Sequence, residues 1–406
     1  MIDEGWDPIT VRVEHDDDRA AHEDDLDADE HPSGPRPKKV RHLVLAEEPI
    51  IGPGLEADAD VAVTLPRLAR HQLTLDDGHT VGVAICGRGV PLVVVHGFSA
   101  EGILYAQTLS RLVDLGFKVI AVDTAGHGGT LGLPTGAQSL ASYAELLGRV
   151  LDHLGVKRMV LAGHSMGGRL VTELAAAQPH RVIGLILLDA IVGDTWDRMV
   201  YLYRFFPPLM LGTAGTLLAD TVTTVPWFRD PRQALKLGSL VGPTVRGHAR
   251  RPWRMLAPAA SILRSRGSRR MLDSLRGHKV PVFVVHGGWD LAVPLRTAKD
   301  TARRARGDLV VVQKGSHSWL LKDPESLPGI MHALMRGRLG TAVLKAQLDE
   351  GIDPVDSSDD EVESVLYEPD ALVLELTPRQ RHHDTEELHR PPRFRWKVLP
   401  ARSRAD

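Results

Sequence analysis

From about residue 70 onward, apolar and polar positions fall into a regular pattern. The stretch "QLTLDDGHTVGVAICG" (72–87) alternates on either side of an Asp-Asp-Gly turn and predicts a β-hairpin. "PLVVVHG" (91–97) is instead a continuous apolar run, the pattern of a strand buried on both faces. The same kind of run returns in "KVIAVD", at 159–163, and in "VIGLILLDA", "VPVFVVHGGWD" and "DLVVVQKG". Between these runs, helical spacing is read near 104–115, near 139–154, after residue 165, near 295–306 and near 324–336. Strands that alternate with helices at such intervals predict an α/β fold. Its sheet is mainly parallel and covered on both faces, and ligands belong at the carboxyl ends of the strands.

The flanks follow a different rule. Residues 1–30 hold thirteen acids against two arginines and have no apolar period, so this stretch cannot bury enough surface to offset its ordering entropy. The expected organisation is an acidic tail over 1–66, a core formed by 67–192 and 279–340, an insertion over 193–278, and a charged tail over 341–406. Apolar residues make up 43% of the 406 positions, enough for a sizeable core, and the net charge of −3 conceals these blocks of opposite sign. Cys86 is the only cysteine, which excludes an intrachain disulfide and fits a reducing cytoplasm. The acidic N-terminus has no apolar segment of the secretory kind. No phosphate loop, metal-ligand cluster or dinucleotide fingerprint is read. The expectation is a protein with no cofactor, no metal and no nucleic-acid partner.

One junction carries chemistry. In "MVLAGHSMGG" (159–168) a buried strand passes into a helix within a few residues, with Gly163, Ser165 and Gly167 at alternate positions. Such a turn demands a positive φ at its apex and small neighbours on either side. This G-x-S-x-G pattern is a nucleophile elbow, which lifts the Ser165 hydroxyl above the sheet edge at a helix N-terminus. A serine needs a base to take its proton, and the imidazole needs a group to orient it. In this arrangement the partners follow the serine as acid and then histidine, each just beyond a strand. Asp290 in "HGGWDLAVP" and His317 in "KGSHSWLLKDPE" meet both conditions, and Asp189 is the second choice of acid. His164 reads as a packing or supporting residue, Asp123 as a brace for a glycine-rich turn, and Asp308 and Asp323 as turn and helix-start residues. Two N–H groups are expected to face a developing oxyanion, those of Met166 and Phe98. Gly97 permits close approach there, and His96 anchors the loop.

The interval between Asp189 and Val280 is too long for a loop and has helical patterning, so it is expected to form a lid. Phe205, Phe206, Trp227 and Phe228 are the candidates to line an acyl-binding surface. Residues 246–279 carry ten Lys or Arg against a single acid, Asp273, with apolar residues interleaved. That composition suits peripheral contact with an anionic membrane.

The motifs "HGF", "DTAGHGGT", "GHSMGG", "HGGWDLAVP" and "GSHSWLLKDPE", in this order, resemble the α/β-hydrolase fold superfamily over about residues 70–336. The resemblance implies a three-layer α/β fold with the lid inserted before the strand that bears the triad acid, and Ser165, Asp290 and His317 as a catalytic triad. The "GHSMGG" form is similar to serine esterases and monoacylglycerol lipases. It implies cleavage of a lipophilic carboxylic ester through an acyl-enzyme. Thr130 stands where the family often has serine, and Ser316 intervenes between Gly315 and His317. The alternatives are a carbon–carbon bond hydrolase or cofactor-free perhydrolase of the same fold, and a non-catalytic scaffold.

Overall fold

The computed structural model describes residues 61–98, 100, 102–133, 138–224, 256–354, 357–376 and 385–401, with isolated positions 238, 242, 246 and 250. Its strands are β1 (Val61–Leu65), β2 (Ala69–Thr74), β3 (Thr80–Cys86), β4 (Val90–Val95), β5 (Phe117–Val122), β6 (Met159–His164), β7 (Val182–Leu188), β8 (Val282–Gly287), β9 (Asp308–Val312), β10 (Thr385–His389) and β11 (Trp396–Leu399). Nine of them form one sheet in the order β11-β9-β8-β7-β6-β4-β5-β3-β2, while β1 and β10 pair separately. From β5 through β9 the pairings are parallel; β2–β3, β3–β5 and β9–β11 are antiparallel.

The expected hairpin is β2–β3, and the apolar runs are β4 to β9. Every residue of β4, β5, β6, β7 and β8 is buried, which accounts for their lack of alternation: both faces are covered. The chain runs from β4 to β5 on one side and then crosses back to β6 on the other. The loops after β4 and β6 therefore diverge and leave a crevice at the carboxyl edge.

The helices are α1 (Ala106–Ser110), α2 (Leu140–His153), α3 (Met166–Ala177), α4 (Asp194–Phe205), α5 (Pro207–Thr224), α6 (Leu256–Leu263), α7 (Arg269–Gly277), α8 (Leu295–Ala305), α9 (Trp319–Lys322), α10 (Ser326–Met335), α11 (Arg338–Asp349), α12 (Asp359–Leu366) and α13 (Leu372–Glu375). The helix expected near 104–115 is instead α1 between two short 3-10 turns, Gly102–Tyr105 and Val113–Leu115. Helices α4 to α7 belong to the insertion between β7 and β8. Its return is tied to the core by Arg169, a fully buried side chain of α3, which donates to the Ser268 hydroxyl at 3.0 Å and to the Arg266 carbonyl at 2.7 Å.

Two boundaries need correction. The N-terminal tail expected to reach residue 66 ends sooner, since Val61–Leu65 is already paired with Thr385–His389; residues 1–60 lie outside the described ones. The C-terminal tail expected over 341–406 instead carries α11, α12, α13 and two strands. Strand β11 extends the main sheet beside β9 and buries Trp396. On α12, Glu363 faces the buried Lys118 ammonium at 3.3 Å and accepts from the Gly89 N–H at 3.0 Å, and just beyond it the Tyr367 hydroxyl donates to the Gly89 carbonyl. The high charge of the segment hides this role, although short apolar runs such as "SVLY" and "ALVLEL" stand among the acids. Charges such as Glu363 are placed against counter-charges of the core and not in solvent.

Candidate active site

Five carboxyl-edge loops converge. Ser165 follows β6, Asp189 follows β7, Asp290 follows β8, His317 follows β9, and His96 to Phe98 follow β4. Ser165 has φ 52°, a left-handed conformation that a residue with a Cβ adopts only under constraint. The constraint comes from its neighbours. A Cβ on Gly163 would lie 2.5 Å from the Gly167 carbonyl carbon, and one on Gly167 would lie 2.1 Å from the Val95 carbonyl oxygen. Only glycine fits at either position, so the turn is held sharp. A Cβ on Gly97 would come within 3.1 Å of the Ser165 Cβ, so the loop after β4 lies directly against the elbow. The side chain of His96 holds that loop, accepting from the Thr124 N–H at 2.9 Å through Nε2.

Asp290 and His317 meet as expected, with His317 Nδ1–H donating to Asp290 Oδ2 at 2.6 Å. The other oxygen, Asp290 Oδ1, accepts from the N–H groups of Ala292 and Val293 at 2.9 and 2.8 Å, which fixes the carboxylate. Because the carboxylate takes the Nδ1 proton, Nε2 is the nitrogen left to act as a base. Burial disfavours the charged imidazole, yet the carboxylates of Asp290, Asp189 and Asp220 outweigh it and raise His317 to about 8. Burial alone pushes Asp290 up, but His317 beside it holds the carboxyl below the usual carboxylate range. Ser165 Oγ has no hydrogen bond among the described residues. In the free state of such sites the serine–histidine contact is often long and tightens when substrate binds.

Asp189 also lies in this cluster, completely buried and at φ 46°. Donor atoms of Asp189, Asp290 and His317 all lie within 4.8 Å of one another, a spacing that could surround a cation. Their oxygens are already engaged, however: Asp189 accepts from the Gly287 N–H at 2.7 Å and from the Trp319 indole at 2.6 Å. The cluster is closed by its own donors and reads as a proton-handling site. Burial, and then the charge on Asp290, hold Asp189 well above the usual carboxylate range. The imidazole of His286 lies between the two acids, its Nδ1 3.5 Å from Asp189 and without a hydrogen bond among the described residues.

His164 is the supporting residue the sequence suggested. Its Nε2–H donates to the His317 carbonyl at 3.1 Å, and the Tyr105 hydroxyl donates to its Nδ1 at 3.0 Å. Burial depresses it to about 3, so the ring is neutral and this proton arrangement is fixed. Asp123 braces the glycine turn, accepting from the N–H groups of Gly102 and Gly129 at 2.8 and 2.9 Å.

Three residues escape sequence reasoning. Tyr105 falls in the stretch read as helical near 104–115, where spacing does not single it out, and it ends the short turn Gly102–Tyr105. Trp319 reaches Asp189 only through the fold. Asp220, on the inserted α5, accepts from the Ser318 N–H at 2.7 Å and pairs with Lys322 at 2.9 Å.

Of the expected acyl-lining aromatics, Phe205 and Phe206 are among the described residues. Phe205 and Phe206 are 70% and 61% exposed, because the inward face of α4 is filled by Trp196, Val200 and Tyr203. Trp227 and Phe228 lie outside the described residues. The backbone of Met166 opens α3 directly after Ser165, and Phe98 lies in the loop against the elbow, as the expected pair of donors requires. No helix among the described residues is long and apolar enough to cross a membrane.

Comparison with known proteins agrees with this geometry. A Mycobacterium phage D29 protein, provisionally named a non-heme haloperoxidase, is 34% identical over 258 residues, which span 62% of this chain and 90% of that one. Among solved structures, an esterase from Thermogutta terrifontis superposes with a TM-score of 0.50 at 24% identity, covering 66% of this chain and 98% of its own. A carboxylesterase of Nitrososphaera gargenis does so with a TM-score of 0.52 at 22% identity, covering 68% and 100%. At these identities the two structures speak for the fold alone. The family model described as alpha/beta hydrolase fold matches residues 90–324. With the elbow, the parallel sheet and the match over more than half its length, this chain belongs to the alpha/beta hydrolase fold family.

Proposed function

We propose that this protein is a serine hydrolase that cleaves carboxylic esters of lipophilic acids through an acyl-enzyme on Ser165. The observation that carries the reading is the 2.6 Å bond from His317 Nδ1 to Asp290, made beside a serine held at φ 52°. In this reading His317 Nε2 takes the proton from Ser165 Oγ as the oxygen attacks the ester carbonyl carbon. The carbonyl oxygen becomes an oxyanion, facing the N–H groups of Met166 and Phe98. Collapse of the tetrahedral adduct expels the alcohol, which receives the proton from His317. Water then attacks the acyl carbon while giving a proton to His317, and His317 passes that proton to Ser165 Oγ as the acid leaves. Asp290 keeps the imidazole in the one tautomer that can do this and stabilises the imidazolium formed at each half-reaction. The preference for lipophilic acids rests on the apolar composition of α5, whose eighteen residues carry one charge, Asp220.

A second reading is supported by the name of the phage relative. The same acyl-enzyme attacked by hydrogen peroxide in place of water yields a peracid and needs no metal. The two readings share Ser165 and part only at the second half-reaction. Labelling with a fluorophosphonate tests the nucleophile: Ser165 is labelled in the native chain and labelling is lost in Ser165→Ala. Product analysis with p-nitrophenyl esters of graded length, with and without peroxide, then ranks hydrolysis against perhydrolysis. An unlabelled chain would overturn both.

A further inference from the structure

Helix α4 has two apolar faces, where a surface helix ordinarily has one. Trp196, Val200 and Tyr203 point inward. On the opposite side, at the spacing of a single stripe, stand Arg198, Tyr201, Leu202 and Phe205. Tyr201 is 58% exposed and Leu202 52%, and the rings of Tyr201 and Phe205 pack in a tilted pair with centroids 4.8 Å apart. The stripe continues beyond the helix through Phe206 and Leu209, both exposed. Single exposed apolar residues are ordinary, whereas a contiguous run of them marks a contact surface.

Beside Tyr201 and Leu202 opens a groove of about 910 Å³ whose walls are arginine-rich. Its two acids are already engaged: Asp194 with Arg269 at 2.8 Å, and Asp197 with the N–H and hydroxyl of Ser268 at 2.7 and 2.9 Å. Arg198, Arg266 and Arg270 are exposed and form no ion pair among the described residues. An apolar ligand has no use for the three arginines, and a free phosphate has none for the aromatic stripe. A bilayer with anionic headgroups supplies a partner for both, with the arginines at the phosphate level and the rings at the acyl boundary.

We propose that the outward face of α4, together with Arg266 and Arg270, docks on a bilayer containing anionic lipid. The surface excludes the elbow and its partners, so the proposal stands apart from the chemistry assigned to Ser165. The test is co-sedimentation of the full chain with vesicles of phosphatidylcholine alone or mixed with phosphatidylglycerol, at low and high sodium chloride. Docking predicts binding to the mixed vesicles that weakens with salt. Arg198→Gln/Arg270→Gln lowers the partition constant roughly thirtyfold, taking each cation at its usual interfacial contribution. Tyr201→Ser/Leu202→Ser also lowers it, and both variants keep the melting temperature of the parent. Equal binding to neutral vesicles, indifferent to salt, would overturn the proposal. So would a dimer in sedimentation velocity that the Tyr201→Ser/Leu202→Ser variant abolishes, since a second copy would then own the surface. Inorganic phosphate that displaces the chain from vesicles at millimolar concentration would likewise assign the arginines to a free anion and overturn it.

Discussion

Asp220 of the inserted helix α5 accepts the backbone N–H of Ser318, the residue directly after His317, at 2.7 Å. Its second oxygen pairs with Lys322 at 2.9 Å, and Lys322 in turn donates to the Ser316 hydroxyl at 2.6 Å. The insertion therefore holds the histidine loop on both sides of the base. Asp220→Asn keeps an acceptor for Ser318 and removes a charge that helps raise His317. The expected result is a downward shift of the acidic limb of the kcat/KM profile with little change in its plateau. Asp220→Ala, which also frees the loop, lowers the plateau. A profile unmoved in both variants would show that α5 does not act on the base.

With His317 raised to about 8, activity rises with pH through that region, because the neutral imidazole is the base. Stability runs the other way. The folded pKa lies above the ordinary histidine value, so the folded state binds the proton more tightly than the unfolded one. The contribution is complete below about pH 6.5 and is lost as pH rises to about 8, on the order of 2 kcal/mol. Urea midpoints measured across this window decline with pH in the parent and stay flatter in His317→Gln.

Ser165→Ala removes the nucleophile and leaves the backbone strain, so turnover falls by roughly a thousandfold or more while the unfolding midpoint stays put. Ser165→Gly also removes the strain of φ 52° and is expected to be more stable than the alanine variant by about 1 kcal/mol. Parallel urea titrations of the two variants check this. Equal midpoints would mean that the elbow stores no strain.

Asp290→Asn replaces the acceptor of the His317 proton by an amide that can present a donor, and most activity is lost. Asp189→Asn is a milder change. Burial and the Asp290 charge favour the neutral form of Asp189, whose charge an amide imitates. The amide NH2 cannot accept from the Gly287 N–H or the Trp319 indole, so the cost of the change falls on stability and not on the base. The rate of Asp189→Asn is therefore expected within a few fold of the parent. The reverse ranking in steady-state kinetics would move the acid to the end of β7.

Residues 341–406 are expected to be needed for folding. Deleting them uncovers the edge of β9 and removes Glu363 from the buried Lys118. Trp396→Ala alone is expected to cost about 3–5 kcal/mol through lost burial and the cavity left beside α10. Thermal unfolding of the variant, and solubility of the truncated chain, are the measurements.

Local chemistry made much of this protein legible in advance. Continuous apolar runs mark strands covered on both faces, and a serine between two glycines at a strand end marks a turn that only small neighbours permit. These signals need no distant partner, so β4 to β9, the elbow and the order Ser165, Asp290, His317 are written in the chain itself. What the tertiary structure decided depends on residues far apart in sequence. Asp189 and Asp290 both lie beyond strand ends, and only the folded arrangement shows one bonded to Trp319 and the other to His317. Tyr105, Asp220 and Trp319 are not singled out by periodicity, because each acts through hydrogen bonds to residues far away in the chain. Phe205 and Phe206 look inward-facing by composition, but the packing of Trp196 and Tyr203 turned them out. The C-terminal segment reads as a tail because its acids look solvated. Glu363 against Lys118, and Trp396 beside Gly329, show that three-dimensional pairing had already assigned them to the core.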